Sequence, residues 1–178
     1  DTGTVYYNND DTGAGITIPA ETYKNVRFGS GVGIDNDTYS LSNSTVVSWN
    51  VTIDANATFS VSGSNHPLSV GGNWTRNGSF TEGAGTVTFH GSGDQNITTA
   101  ADFNHVTINN SGAGVKVLAQ GNLTIGGTVT MTLGRFDLDN DDGTRLSHTM
   151  AAITANAGVL DFSNADVAVS GAVAINGG

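Results

Sequence analysis

The sequence has 178 residues, of which only 12% are charged, yet its formal net charge is −10. The six Lys and Arg residues are scattered along the chain, so no basic stripe exists to neutralise phosphates, and nucleic acid is not expected as a partner. No apolar run reaches the ~20 residues that a bilayer-spanning helix needs, and an acidic surface is repelled by anionic lipid, so direct membrane insertion is not expected.

Low charge combined with 25 Gly and a Thr, Ser and Asn background argues against a helical bundle. The chain contains no cysteine, which excludes disulfides and Cys-based metal sites. It begins Asp1-Thr2, without an initiator Met or a signal peptide. We therefore interpret the sequence as a mature fragment whose targeting segments lie elsewhere.

In chain order, short apolar/polar alternations are separated by Gly, Asn, Asp and Ser turns. The clearest alternations lie at residues 86–89, 122–125, 128–133 and 167–175. Apolar residues point one way and Thr or Asn the other, which is typical of half-buried strands. No segment shows a sustained helical period with a cap. The predicted fold class is therefore all-β.

An internal repeat with a period of about 80 residues is visible. Residues 3–8 match residues 85–90, residues 23–28 match 103–108, and residues 50–53 match 128–131. Matches in a conserved order indicate super-repeats at about residues 1–82 and 83–162, followed by a tail at 163–178. We treat the whole of residues 1–178 as one segment.

Short, evenly spaced strands inside a long repeat favour a parallel β-solenoid. With ~20 residues per coil, the chain would make about nine rungs spaced by ~4.8 Å. The alternative is a β-sandwich built from reversing hairpins, for which Asn77-Gly78 is a genuine hairpin-like signal.

Several strings in the chain resemble a repeat found in very long bacterial surface proteins. They are residues 68–80 (LSVGGNWTRNGSF), 83–89 (GAGTVTF), 103–112 (FNHVTINNSG) and 121–125 (GNLTI). The resemblance covers residues 3–138 and is to β-solenoid repeats of the filamentous-haemagglutinin and autotransporter-adhesin kind. It implies a right-handed β-helix, a location outside the cell or at its surface, and a role as a passive stalk or an adhesive surface.

The densest acidic segment ends at Gly143 and is a candidate Ca²⁺ site. Its carboxylates belong to Asp137, Asp139, Asp141 and Asp142. Closely spaced carboxylates in a Gly-terminated turn suit a cation that takes six to eight oxygens, although no Glu closes the segment as in an EF-hand. The alternative is an ordinary solvated turn after a strand. No other cofactor is expected.

Nine Asn-x-Ser/Thr sequons are candidate glycosylation sites. They begin at Asn36, Asn43, Asn50, Asn56, Asn73, Asn77, Asn96, Asn109 and Asn122. Strand alternation offers a simpler explanation, because it places Asn and Thr two residues apart on the same outward face.

No nucleophile elbow, catalytic triad or His-rich metal motif is present, so an enzyme is not expected. The four histidines, His66, His90, His105 and His148, are interpreted as structural background, with His90 and His105 at exposed positions. Six aromatic residues could stack on sugars if exposed, and otherwise would pack inside the coil. These are Tyr6, Tyr7, Tyr23, Tyr39, Trp49 and Trp74.

The favoured function is an extracellular scaffold: a rod, stalk or filament-forming segment of an adhesin-like surface protein. Its expected partners are neighbouring repeats or identical subunits stacked end to end, because the end rungs of a solenoid expose unpaired backbone groups. A carbohydrate- or surface-binding module is the alternative, with surface glycans as partner. A polysaccharide lyase or hydrolase using the acidic segment beside Arg135 or Arg145 is more remote.

Overall fold

The computed structural model describes residues 3–8, 13, 15–29, 36–114, 116–140 and 142–176. Within these residues the chain forms strands and turns and no helix, and hence no helix suited to crossing a membrane. Every strand pairing in this part of the chain is parallel. The chain therefore winds as a β-solenoid of about 7 turns.

The first four coils contain three strands each. They are β1 (Thr4–Tyr7), β2 (Gly15–Ile18) and β3 (Thr22–Tyr23); β4 (Asn25–Phe28), β5 (Thr38–Leu41) and β6 (Thr45–Val47); β7 (Val51–Ile53), β8 (Thr58–Ser60) and β9 (Leu68–Val70); and β10 (Trp74–Arg76), β11 (Ser79–Thr81) and β12 (Thr86–Phe89).

In the sixth and seventh coils the second and third strands are merged into one long strand, whereas the fifth and last coils keep three strands. The fifth has β13 (Gln95–Ile97), β14 (Ala101–Phe103) and β15 (His105–Asn109). The sixth has β16 (Lys116–Ala119) and β17 (Leu123–Leu133), and the seventh β18 (Arg135–Asp137) and β19 (Ser147–Ala155). The last has β20 (Val159–Asp161), β21 (Asp166–Val169) and β22 (Val173–Ile175).

Three sheets form the faces of the solenoid. Sheet A stacks β1, β4, β7, β10, β13, β16, β18 and β20; sheet B stacks β2, β5, β8 and β11; and sheet C runs from β3 to β21, with β14 and β22 attached. Beyond β11, the place of sheet B in the coil is taken by β14 and the first half of β17. The register of β17 against β19 shifts between Ile125 and Thr128, so this strand turns the corner without a break.

The coil is longer and less regular than the sequence predicts. Register partners lie 25 residues apart at Val26 and Val51, but only 19 apart at Val87 and Val106. Sheet A consequently holds eight strands instead of nine rungs, which corresponds to a rise of roughly 34 Å at ~4.8 Å per coil. The corners between strands absorb the variation in length.

One continuous hydrophobic core fills the solenoid, from Ile18 to Ile153. Its N-terminal half is aromatic: the rings of Phe28 and Phe59 stack with centroids 4.3 Å apart, and Phe80 lies 5.6 Å from Phe59. Each inward residue packs on the equivalent residue of the coils before and after it. Burial against neighbouring coils therefore stabilises the stack, as in other repeat proteins.

The β-sandwich alternative is wrong, and Asn77-Gly78 is a corner instead of a hairpin. The two residues join β10 in sheet A to β11 in sheet B, and these strands do not pair with each other. A Cβ at position 78 would lie 2.2 Å from the Asp54 carbonyl oxygen and 2.3 Å from that of Ala57. Glycine is required here because the backbones of two coils touch at the corner.

The segments that match at the 80-residue period lie on different faces of the solenoid. Residues 3–8 contain β1 of sheet A, whereas the matching residues 85–90 contain β12 of sheet C. The same change of sheet separates β4 from its match β15. All faces need the same apolar-in, Thr-out alternation, so strands from different faces resemble one another. The repeating structural unit is the single coil.

Candidate functional site

A ladder of four asparagines runs along the corner where sheet C passes into sheet A. Asn25, Asn50, Asn73 and Asn96 lie immediately before, or within the first two residues of, successive strands of sheet A. The backbone N–H of each of the last three donates to the side-chain Oδ1 of the asparagine one coil earlier, at 3.2, 2.8 and 2.8 Å. The ladder thus satisfies backbone donors at the corner and holds the coils in register.

The ladder explains three of the nine sequons. In Asn50-Val51-Thr52, Asn73-Trp74-Thr75 and Asn96-Ile97-Thr98, the middle residue is buried and the Thr lies outward. Thr98 Oγ1 donates to Thr75 Oγ1 at 3.2 Å, so the threonines also form a column. Strand alternation therefore accounts for these sequons.

The other six sequons lie on the surface. Their asparagines, at positions 36, 43, 56, 77, 109 and 122, are exposed. Two use their side-chain oxygens locally, because Asn122 Oδ1 accepts from the Ser147 N–H at 2.9 Å and Asn43 Oδ1 from the Ser44 N–H at 2.8 Å. Glycosylation at these sites stays a prediction.

A cleft of about 590 Å³ lies beside the ladder and spans the corners of three successive coils. One side is formed by residues 48–50, the floor by residues 71–73 and the other side by the loop at residues 90–94. Trp49 stands on the first side with 52% of its surface exposed. We call this concavity the Trp49 cleft.

Stacking of the coils leaves the part of the floor formed by Gly71 and Gly72 without side chains. A Cβ on Gly71 would lie 2.2 Å from the Ser48 carbonyl oxygen, and one on Gly72 would lie 2.6 Å from Asn50 Oδ1. Neither glycine can be replaced without moving backbone or the ladder. The physical reason for the glycines is close packing, and an open floor is its consequence.

Trp49 belongs to a column of corner residues in consecutive coils. The Trp49 N–H donates to the Lys24 carbonyl at 2.8 Å, and the Gly72 N–H to the Trp49 carbonyl at 2.7 Å. Lys24 Nζ lies over the indole ring, 5.0 Å from its centroid. The column has no side chain at Gly72, so Trp49 is uncovered toward the cleft floor.

The acidic segment is tied into ion pairs at its buried end. Asp137 is 1% exposed, and its Oδ2 lies 3.2 Å from Lys116 Nζ and 3.1 Å from Arg135 Nη2. Arg135 also pairs with Asp161 in the next coil. A carboxylate buried between two cations is the arrangement that burial of a charge requires.

The remaining acidic residues lie in the turn that follows. Asp142 is exposed, and its side chain accepts from the Thr144 N–H at 2.7 Å, which lowers the pKa of its carboxyl. Asp139 Oδ1 is buried without a hydrogen-bond partner among the described residues. Asp141 lies outside them. In the part of the chain that the structure covers, no three His, Asp or Glu side chains converge on a point that could hold a metal, and the Ca²⁺ site stays a prediction.

The histidines differ more than the sequence suggests. His148 is 1% exposed; its Nδ1 accepts from the Leu123 N–H at 3.1 Å, so its Nε2 donates to the Leu138 carbonyl at 2.8 Å. His105 is half-buried instead of exposed, because its Nδ1 accepts from the Thr128 N–H at 3.0 Å. His90 is half-buried too, on the wall of the Trp49 cleft. These contacts between coils are invisible in the sequence.

We expect stability to fall on mild acidification because of His148. Burial lowers the pKa of His148 from the usual 6.5, and the hydrogen bond to the Leu138 carbonyl offsets this decrease only in part. The unfolded chain therefore binds a proton below pH ~6.5 that the folded chain does not, and unfolding becomes easier by up to about 1.4 kcal/mol per pH unit. Urea unfolding at pH 7.5, 6.5, 6.0 and 5.5 would measure this slope. In His148→Gln the slope should disappear, and an unchanged slope would assign the effect to another group.

Of the six aromatic candidates, two are exposed. Trp49 and Tyr6 are 52% and 62% exposed. Trp74, Tyr39 and Tyr23 lie in the core, and Tyr7 is partly buried against it. The sequence pointed to Asn50 only as a sequon and to His90 only as structural background, and it gave no sign of the glycine floor or of Asp94. Alignment of the coils on the ladder asparagines would have revealed them, because it places Trp49 opposite Gly72.

Comparison with protein-family models, with curated proteins and with solved structures gave no match. The fold and the cleft therefore rest on the chain's own geometry.

Proposed function

We propose that this chain is a scaffold segment of an extracellular rod, in which coils stack on further coils or on identical subunits. The observation that carries the proposal is the single core that runs through all the coils. A stack of this kind grows by adding rungs without changing its cross-section. The architecture therefore supplies length.

The final coil supports stacking as the mode of association. Val159, Val173 and Ile175 in β20 and β22 are 55%, 56% and 75% exposed. On their outer side these strands have no paired neighbour among the described residues. A strand added there would pair the backbone groups and cover Val173 and Ile175, which continue the inward face of β19; this is β-augmentation.

The surface chemistry and the resemblance support the remainder of the proposal. The outward faces are rich in Thr and Asn, and charge is sparse, as suits a passive stalk. The resemblance to haemagglutinin-type and adhesin repeats supports a location at the cell surface. A lyase or hydrolase is disfavoured because Asp137, at the centre of the acidic segment, is buried between two cations.

Solution scattering over a range of protein concentrations tests this function. We expect the longest dimension to grow with concentration while the cross-section stays constant. The double variant Val173→Lys/Ile175→Lys should remain monomeric, because it places two charges at the exposed edge. The matched control Val46→Lys changes an exposed valine on sheet C (38% exposed) away from the end coil and should assemble like the parent chain. A monomer of constant dimensions at every concentration would contradict self-stacking.

A further inference from the structure

The Trp49 cleft has the form of a ligand site. It is a concavity between two walls, with a volume of about 590 Å³, within the range of small-molecule sites. It crosses three coils, or roughly 10 Å along the solenoid axis at ~4.8 Å per coil. The ladder and the close-packed glycines hold its floor in one conformation. A rigid floor lowers the entropy cost of binding.

The wall carries an exposed indole beside open space. Lys24 covers the ring from the preceding coil, whereas the following coil has Gly72 at the same column position. An exposed aromatic side chain on a rigid corner offers a flat apolar surface with a polar edge. Ligands with one apolar face and many hydroxyl groups match such a surface.

Polar groups surround the indole at the floor and the opposite wall. The Oδ1 atoms of Asn50 and Asn73 are fixed by ladder bonds, and their Nδ2 groups donate no hydrogen bond within the described chain. Asp94 is exposed and uses Oδ1 to accept from the Lys116 N–H. The floor and wall thus present amide donors together with a carboxylate acceptor.

His90 contributes to the wall of the cleft. Its side chain lines the cleft, and its Nε2 is buried without a hydrogen-bond partner in the described residues. Buried polar atoms in folded proteins are nearly always paired, so this one calls for an ordered water behind the cleft wall instead of a ligand in the cleft.

We propose that the Trp49 cleft binds a short, uncharged oligosaccharide. A pyranose ring presents C–H groups for the indole, and its hydroxyls both donate and accept, as the amides and the carboxylate require. The net charge of −10 disfavours an anionic ligand. A peptide adding to a sheet edge is disfavoured because the adjoining strands β7, β10 and β13 are paired on both sides. This binding site is independent of the scaffold function.

Titration of the whole chain with neutral tetrasaccharides tests the proposal. The probes are cellotetraose, maltotetraose, chitotetraose and mannotetraose, followed by tryptophan fluorescence and by ¹⁵N chemical shifts. The chain has two tryptophans, and Trp74 is fully buried, so a change in fluorescence reports on Trp49. We expect at least one probe to bind and to shift the amide signals of residues 71–73 and 90–94.

Two variants at exposed aromatic positions locate the site. Trp49→Ala should weaken binding about tenfold or more, as expected for an aromatic residue at the centre of a site. Tyr6→Ala removes a ring of similar exposure from strand β1 of sheet A, in the first coil, and should bind like the parent chain. Asp94→Ala should also weaken binding. Each variant is first checked for the parent far-ultraviolet circular dichroism spectrum.

Three results would overturn the proposal: no binding of any probe at millimolar concentration, equal binding by Trp49→Ala and the parent chain, or shifts confined to residues outside the cleft. Assembly and binding are measured separately. If rods fail to form but an oligosaccharide binds, only the scaffold function is contradicted. If rods form but no oligosaccharide binds, only the proposed binding site is contradicted.

Discussion

Replacing Trp74 with alanine should lower the free energy of unfolding by about 3–5 kcal/mol, as for other large aromatic residues deleted from a core. Trp74 is completely buried. Its ring lies edge-on to Phe80 with centroids 4.9 Å apart and is tilted toward Phe103 at 5.4 Å. It therefore joins the aromatic residues of consecutive coils, and its removal leaves a cavity that the rigid backbone of stacked strands cannot close.

Trp49 supplies the matched control for this prediction. Trp49→Ala removes the same side chain from an exposed site, where the contact with Lys24 accounts for no more than about 1 kcal/mol. Urea unfolding followed by circular dichroism at 218 nm compares the two variants without depending on tryptophan emission. Equal losses in the two variants would contradict the assignment of Trp74 to the core.

The different positions of the two tryptophans show what the sequence can and cannot reveal. Both belong to a short Asn-centred string, Ser48-Trp49-Asn50-Val51 and Gly72-Asn73-Trp74. The residue after the ladder asparagine points inward and the residue before it lies at the corner, so Trp74 is buried and Trp49 is exposed. Once the ladder register is known, burial follows from sequence. Without it, the two residues look alike.

The positions of the strands could be predicted from the sequence, whereas the number of residues in each coil was harder to predict. Alternation at residues 86–89 corresponds to β12, and the alternations at 122–125 and 128–133 form the two halves of β17. These patterns are local and need only the period of a strand. Coil length depends on corners, where a few extra residues cost little free energy. The number of rungs could therefore be predicted only approximately.

The contacts that define the cleft are all between coils. The Asn50 side chain bonds to the backbone of Asn73, 23 residues further along, and Gly72 fits against the backbone of Trp49. Such contacts depend on exact register, which the 80-residue period obscures because it aligns strands from different faces. A 23-residue comparison of Asn50, Asn73 and Asn96 is the signal that locates the corner.

Gly78, at the corner between sheets A and B, should be as sensitive to substitution as a residue of the core. In Gly78→Ala the new Cβ would meet the carbonyl oxygens of Asp54 and Ala57 at 2.2 and 2.3 Å. Both contacts are with backbone atoms of the preceding coil, so no side chain can move aside. Either the corner or the pairing of β10 with β7 must shift. We expect a loss of about 1–3 kcal/mol or more, as for overpacked sites.

The matched control for this corner is Gly63→Ala in the turn between β8 and β9. An added Cβ there meets nothing within 4 Å, and Ala in place of Gly restricts the unfolded chain, so stability should stay the same or rise by about 0.4–1 kcal/mol. Urea unfolding of both variants measures the difference. Both changes add the same methyl group. A large difference between the two variants in the free energy of unfolding would therefore measure the cost of separating two coils. Similar stabilities would mean that the corner yields easily and that close stacking there does not hold the solenoid together.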